Sequence, residues 1–285
     1  MYITEITPDK FFVAILILFL LQFASNLHTV RASSAVFSEA AYAYAASLKG
    51  NEPAKIASIN EELSKKGYKQ DTEVSDTDVV VYIPQSEAQP IVMAFRGTDF
   101  ENKGGNRNRD AIDDARIGAG TFGSSKRVND MVLRFYKVAN RYPKFMIELT
   151  GHSLGGSTAD EVARKVARHP QFRGAQTIDK GAGAASISRG VTDQLQCMKM
   201  NPFRSPYCDR VFHERAEMDL VSTLGRNQRN TTTYKPQDDQ SNSLFQKTFG
   251  LSAHTLGHFR DVNTAYELGG DVKGDLIQYG GGDFH

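Results

Sequence analysis

Thr150-Gly151-His152-Ser153-Leu154-Gly155-Gly156 is the stretch on which the reading of this chain turns, because it holds the pattern G-x-S-x-G. Before it runs the apolar strand Phe145-Met146-Ile147-Glu148-Leu149; after it Ala159, Val162, Ala163, Val166 and Ala167 recur at helical spacing up to Pro170. A serine placed on a sharp strand-to-helix turn exposes its Oγ at the end of a sheet. The helix N-terminus beyond it offers free N–H groups and the positive end of a dipole. Gly151 and Gly155 belong to such a turn because a Cβ at either position is expected to clash. Without the flanking strand and helix, the same pattern would be an ordinary glycine-containing loop.

Outward from this centre, strand and helix alternate. Residues 33 to about 50 are Ala-rich and end at Gly50, as a helix does, and a second helix is expected over Ala54–Lys66. Asp78–Pro84 and Ile91–Phe95 are short, β-branched or apolar runs that read as buried strands. Asp99–Arg109 is polar and rich in Gly and Asn, so it reads as loop. Val128, Met131, Val132, Phe135 and Ala139 mark a helix that stops at Pro143. Ala175–Ile178 and Arg210–Phe212 are weaker strands. The alternation implies an α/β fold with a mostly parallel central sheet and helices on both faces.

A serine hydroxyl is a poor nucleophile at neutral pH and needs a base, which in turn needs an orienting acid. In strand–serine–helix folds of this kind the chain order is Ser, then Asp or Glu, then His. His169 closes the helix after the serine, His213 lies in or beside a strand ahead of any plausible acid, and His285 lies in the tail, which leaves His254 and His258. Among acids, Asp219 follows the strand Arg210–Phe212 after a short link, whereas Asp209 precedes that strand and Asp193 comes earlier still. The developing oxyanion needs donors. One is the backbone N–H of Leu154; the other is sought at Phe95-Arg96-Gly97-Thr98, where a strand ends and Gly97 is expected to let N–H groups turn inward.

Taken together, Ala94-Phe95-Arg96-Gly97-Thr98, Thr150–Gly156, Asp219-Leu220-Val221 and His254-Thr255-Leu256 resemble the class 3 lipases, the fungal triacylglycerol-lipase-like branch of the α/β hydrolases. The resemblance covers roughly residues 35–260. It implies an α/β-hydrolase fold with Ser153 as nucleophile, Asp219 as acid and His254 as base. It also implies Thr98 and Leu154 in the oxyanion hole, with Thr98 giving both its N–H and its hydroxyl, and the elbow formed by Gly151, His152 and Gly155. Asp114, in Ala111-Ile112-Asp113-Asp114-Ala115, is similar to a supporting aspartate of that family. Two features depart from it. The stretch where the family carries an apolar lid has no apolar residue after Phe100 and carries Lys103, Arg107 and Arg109. The familiar proline-containing loop is replaced by Asp179-Lys180-Gly181-Ala182-Gly183.

The remaining sequence bounds the setting. Apolar residues make up 40% and charged residues 24% of 285 residues, enough to bury a sizeable core, and the net charge of +1 with scattered Lys and Arg excludes an electrostatic footprint for nucleic acid. Phe11–Leu21 is an uninterrupted apolar run, so residues 1–32 read as a signal peptide or a membrane anchor, residues 33–267 as the catalytic domain and residues 268–285 as a glycine-rich tail. That places the domain outside the cytosol, secreted or anchored. There Cys197 and Cys208 are expected to pair, with two free thiols as the alternative, and Asn230-Thr231-Thr232 is a glycosylation sequon. No metal or cofactor is expected. The partners expected are a lipid or small ester substrate and a membrane surface. The competing readings are a catalytically silent lipase-like binding protein, and a phospholipase or acyltransferase on the same fold.

Overall fold

The computed structural model describes residues 34–51, 53–98, 106–182, 195, 197–198, 204–216 and 230–234. Its centre is a seven-stranded sheet in the order β1-β2-β3-β4-β5-β6-β7. The strands are β1 (Tyr68–Gln70), β2 (Val79–Pro84), β3 (Ile91–Phe95), β4 (Ile147–His152), β5 (Phe172–Ile178), β6 (Val211–Ala216) and β7 (Thr231–Tyr234). The pairings β1/β2 and β2/β3 are antiparallel, and β3 through β7 run parallel. The helices are α1 (residues 34–47), α2 (Pro53–Lys65), α3 (Asn106–Gly118), α4 (Lys126–Arg141), α5 (Leu154–Val166) and the single turn α6 (Tyr207–Arg210).

Two cores follow from the pleat. Val79 and Val81 of β2 and Ile91, Met93 and Phe95 of β3 face one cluster, with Phe135 and Val138 of α4 and Ala159, Val162 and Val166 of α5. Val80 and Tyr82 of β2 and Val92 and Ala94 of β3 face the other, with Phe37, Ala40 and Ala41 of α1 and Ile56, Ile59 and Leu63 of α2. Strands buried on both sides carry apolar residues at every position, which is why β2 and β3 read as continuous runs. Parallel strands laid down in one direction put their crossover helices on one face. Here α4 and α5 occupy it, and the N-terminal helices cover the other.

Local signals agree with the boundaries. Pro53 opens α2, Ser125 caps α4 by accepting from the Val128 N–H at 3.2 Å, and Gly50, at φ +80°, follows α1. One expectation changes. The loop expected over Asp99–Arg109 gives way to helix at Asn106, directly after Gly104 and Gly105; residues 99–105 lie outside the described residues. Edge strands β1 and β7 carried no apolar run to announce them. Asn230 of the sequon, at φ +56°, spends both hydrogens of its amide on main chain, donating to Cys208 O at 2.9 Å and Val211 O at 3.0 Å. It serves the folded chain as a tie between the start of β6 and β7. Residues 1–33 and the tail from 268 lie outside the described residues, and among those described no helix is long and apolar enough to cross a membrane.

Glu148 of β4 lies on the sheet face opposite α4 and α5, its side chain 15% exposed and 3.2 Å from Arg173 Nε. Burial raises its pKa to about 7, against the pull of Arg173. A carboxyl that holds its proton more tightly folded than unfolded stabilises the fold at low pH, and that contribution is lost as pH rises from the unfolded value towards 7. Urea unfolding of Glu148→Gln is therefore expected to lack a loss on the order of 3 kcal/mol that the parent shows between about pH 4.5 and 7. Parallel pH–stability curves for the two proteins would contradict it.

Candidate active site

Ser153 sits between β4 and α5 at φ 56°, ψ −126°, a backbone conformation that costs a non-glycine residue of order 1–3 kcal/mol unless its surroundings hold it. They do: its N–H donates to Ile178 O at 3.0 Å, and its carbonyl accepts from Ser157 N at 3.0 Å and Gly181 N at 3.1 Å. The glycine requirement is steric, as the sequence implied. A Cβ on Gly151 would stand 2.4 Å from the Gly155 carbonyl carbon, and one on Gly155 would stand 2.1 Å from Phe95 O. The elbow is thus packed directly on the end of β3, with Leu154, fully buried, as the first residue of α5.

The end of β3 is held by charge. Arg96 is buried; its Nη1 and Nη2 donate to the two carboxylate oxygens of Asp110 at 3.0 and 3.2 Å, its Nη1 also to Gly97 O at 2.9 Å, and its Nε to Thr77 O at 2.8 Å. Arg127 of α4 adds a bond to Asp110 at 2.9 Å and one to Arg96 O at 2.6 Å. Arg109 pairs with Asp78, and Asp113, also buried, lies 3.4 Å from Arg116. The inner face of α3 is therefore Asp110, Asp113 and Ile117, acidic where a core-facing helix is normally apolar. This ion network is what sequence reasoning missed. Its only signal was acidic residues three apart on a segment with almost no apolar spacing.

Docking α3 in this way brings Asp114 to Thr98, whose Oγ1 lies 2.9 and 3.2 Å from the two carboxylate oxygens and donates to them. Burial raises the Asp114 pKa, opposed by the Thr98 hydrogen bond and reinforced by the charge of Asp110. Gly97 also has a steric reason to be glycine. A Cβ there would stand 1.8 Å from Tyr42 Oη and 2.7 Å from His152 O. Tyr42 of α1 thus wedges between the end of β3 and the elbow, its Oη 3.0 Å from His152 Nδ1; burial holds its phenol well above the usual range, so it stays protonated.

The other described histidines are engaged elsewhere. His213 lies buried in β6, its Nδ1 2.8 Å from Thr177 Oγ1, and burial followed by Lys180 lowers its pKa to about 3. His169 stacks edge-on against Phe135 and Tyr136. Asp209 pairs with Arg204 at the N-terminal end of β6. Asp219, His254 and His258 lie outside the described residues. Cys197 and Cys208 form a disulfide, Cα–Cα 5.4 Å. Among the described residues no group of three His, Cys, Asp or Glu side chains is placed to hold a metal ion.

A strained serine at the C-terminal end of a central parallel strand, in a mixed sheet covered on both faces, defines an α/β-hydrolase. Residues 92–187 match the model of the family Lipase (class 3). Over that stretch the chain is similar to the class 3 lipases. No curated protein matches. Solved structures similar to it include a fungal lipase–inhibitor complex described as a model for interfacial activation, with 16% identity, covering 75% of this chain and 82% of that one at a TM-score of 0.43. Lipase II from Rhizopus niveus has 14% identity, 76% and 83% coverage and a TM-score of 0.43. A mutant form of MDLA from Penicillium cyclopium has 17% identity, 84% and 93% coverage and a TM-score of 0.42.

Gly155→Ala forces a Cβ onto the Phe95 carbonyl, so elbow and β3 must part. It is expected to lower kcat on p-nitrophenyl butyrate by at least about 10²-fold, the usual consequence of displacing a reacting group by an ångström. A variant within threefold of the parent would show that the contact yields freely.

Proposed function

We propose that the protein hydrolyses carboxylic esters of lipids through a Ser153–His254–Asp219 triad and an acyl-enzyme. The observation that carries this is Ser153 itself: a non-glycine residue kept at positive φ, on a turn that only glycines at 151 and 155 allow, where β4 meets α5. In this reading Ser153 Oγ attacks the ester carbonyl, His254 takes the hydroxyl proton and later gives it to the leaving alcohol, and Asp219 orients the imidazole. The backbone N–H groups of Leu154 and Thr98 receive the oxyanion. Water then releases the acid from Ser153 by the reverse sequence.

Several features support it. Asp219 follows the end of β6 by three residues, and the acid of this fold is borne on a loop beyond a later strand. His152, His169 and His213 each have partners away from Ser153 Oγ, leaving the base to a later histidine. The Thr98 hydroxyl, already donated to Asp114, acts chiefly by fixing the residue whose N–H matters. The disulfide and the apolar stretch at residues 11–21 fit an oxidising compartment, so we place the enzyme outside the cytosol, secreted or anchored at a membrane surface.

Ser153→Ala should retain the parent's circular dichroism and melting temperature while kcat falls about 10⁴- to 10⁶-fold. His254→Ala should fall nearly as far and His258→Ala should keep most activity; the opposite ranking moves the base to His258. A Ser153→Ala variant within tenfold of the parent refutes the triad. A parent inert on every acyl ester, with phospholipid and triglyceride included, favours the silent binding protein.

Residues 99–109 hold no apolar residue after Phe100, which is poor material for a cover that opens on oil. Monomeric short-chain esters are therefore expected to turn over with no jump in rate as substrate concentration crosses its solubility limit. A sharp rise there would show that another segment supplies a lid.

A further inference from the structure

The segment after β5 does more than leave the sheet. Ile178 and Gly181 bracket Ser153, one accepting from its N–H and the other donating to its carbonyl, while Ser157 Oγ donates to Gly181 O at 2.8 Å. Between them Asp179 is buried at φ +40°, its N–H donating to Glu214 O at 2.7 Å, and Lys180 is buried against the first turn of α5, where a Cβ on Gly156 would stand 2.9 Å from Lys180 Cβ. Residues 178–181 thus form a strap around the main chain of the serine.

The strap has an ionic anchor on α5. Lys180 Nζ donates to Asp160 of α5, both side chains less than a tenth exposed. Asp160 also accepts from Tyr207 Oη of α6, and Arg164, 3.6 Å away, lies over the Tyr207 ring with its guanidinium carbon 4.2 Å from the centroid. Tyr207 precedes Cys208 of the disulfide. Burial would raise the Asp160 pKa, yet Arg164 and Lys180 bring it far below the usual carboxylate range, so the carboxylate stays charged and keeps its donors. Neither Lys180 nor Asp160 belongs to the elbow motif.

We propose that Lys180, fastened to Asp160, is a positioning residue for Ser153: the buried pair pins the strap whose two backbone bonds keep the serine at positive φ. This rests on the reading of Ser153 as nucleophile. An ion pair is directional in a way that apolar packing is not, so an apolar pair of similar volume can fill the site without fixing the strap. Replacing a buried pair on both sides is commonly neutral for stability, whereas removing one partner is not. The useful variant is therefore Lys180→Met combined with Asp160→Leu; Asp160→Asn, which keeps the shape and discards one charge, serves beside it and is expected to cost stability because Lys180 stays charged and buried.

The experiment is the second-order rate of labelling by a p-nitrophenyl alkylphosphonate, with the adduct mapped by mass spectrometry, beside kcat and KM on p-nitrophenyl butyrate and the melting temperature. In the parent the label must fall on Ser153; if it does not, the nucleophile reading fails and this inference falls with it. With the parent labelled, the double variant is expected to melt within a few degrees of it and Asp160→Asn lower, and both, assayed below their melting temperatures, to label about 10- to 100-fold more slowly and to lose kcat with KM unchanged. A folded variant that labels within twofold of the parent, or one whose loss lies in KM alone, overturns the positioning role and leaves the nucleophile assignment standing.

Discussion

The buried pairing of Arg96 with Asp110 governs how the loops around the serine are arranged. Arg96 leaves β3 with its guanidinium turned inward, where one carboxylate from α3, a carbonyl from the loop leading into β2 and its neighbour's carbonyl take up its donors. Such a charge cannot be buried unpaired, so α3 has to dock. Because α3 docks chiefly through acid, Asp114 meets Thr98 in the register in which Asp110 meets both arginines. Truncating one partner of such a network typically costs about 3–5 kcal/mol, whereas most exposed ion pairs are worth far less. The end of β3 is in turn the surface on which the elbow rests, through Gly155 and the Phe95 carbonyl.

Around this the molecule has a second, independent brace. On the opposite sheet face Tyr42 of α1 touches both the Gly97 position and His152, and Ser38 lies 3.4 Å from Thr150 through their hydroxyls. The two sides of the serine are therefore controlled from different layers. Charge from α3 and α4 fixes the β3 end, and hydroxyls from α1 fix the strand that carries the serine. A third group, the strap after β5, closes the circle from below α5.

How much of this the sequence displayed depends on what each element buries. β2, β3 and β4 were legible because both their faces are covered and their apolar residues run together. β1, reading Tyr-Lys-Gln, and β7, reading Thr-Thr-Thr-Tyr, were not, since short edge strands need neither periodicity nor grease. α3 was taken for loop over its first turn because helical periodicity is normally sought in apolar residues, and here only Ile117 among the buried positions supplies one. The site divides in the same way. Ser153, Thr98 and Asp114 stood in recognisable spacing, and the disulfide was expected from two cysteines bracketing a short loop in a chain read as entering an oxidising compartment. Lys180 and Asp160 lie twenty residues apart across a helix and a strand, in no motif, and only folding makes them neighbours.

The covering of the second face by α1 sets a timetable for folding. Tyr42 and His152 are 110 residues apart, and Ser38 and Thr150 are 112 apart. A chain made from its N-terminus can lay the apolar stripe of α1 on α2, β2 and β3 as soon as those exist, but the hydroxyl contacts of Ser38 and Tyr42 wait for β4. Contacts of such long range slow folding and leave partly built intermediates exposed. Among the described elements α1 is the first synthesised, and its last contacts close only when β4 is in place.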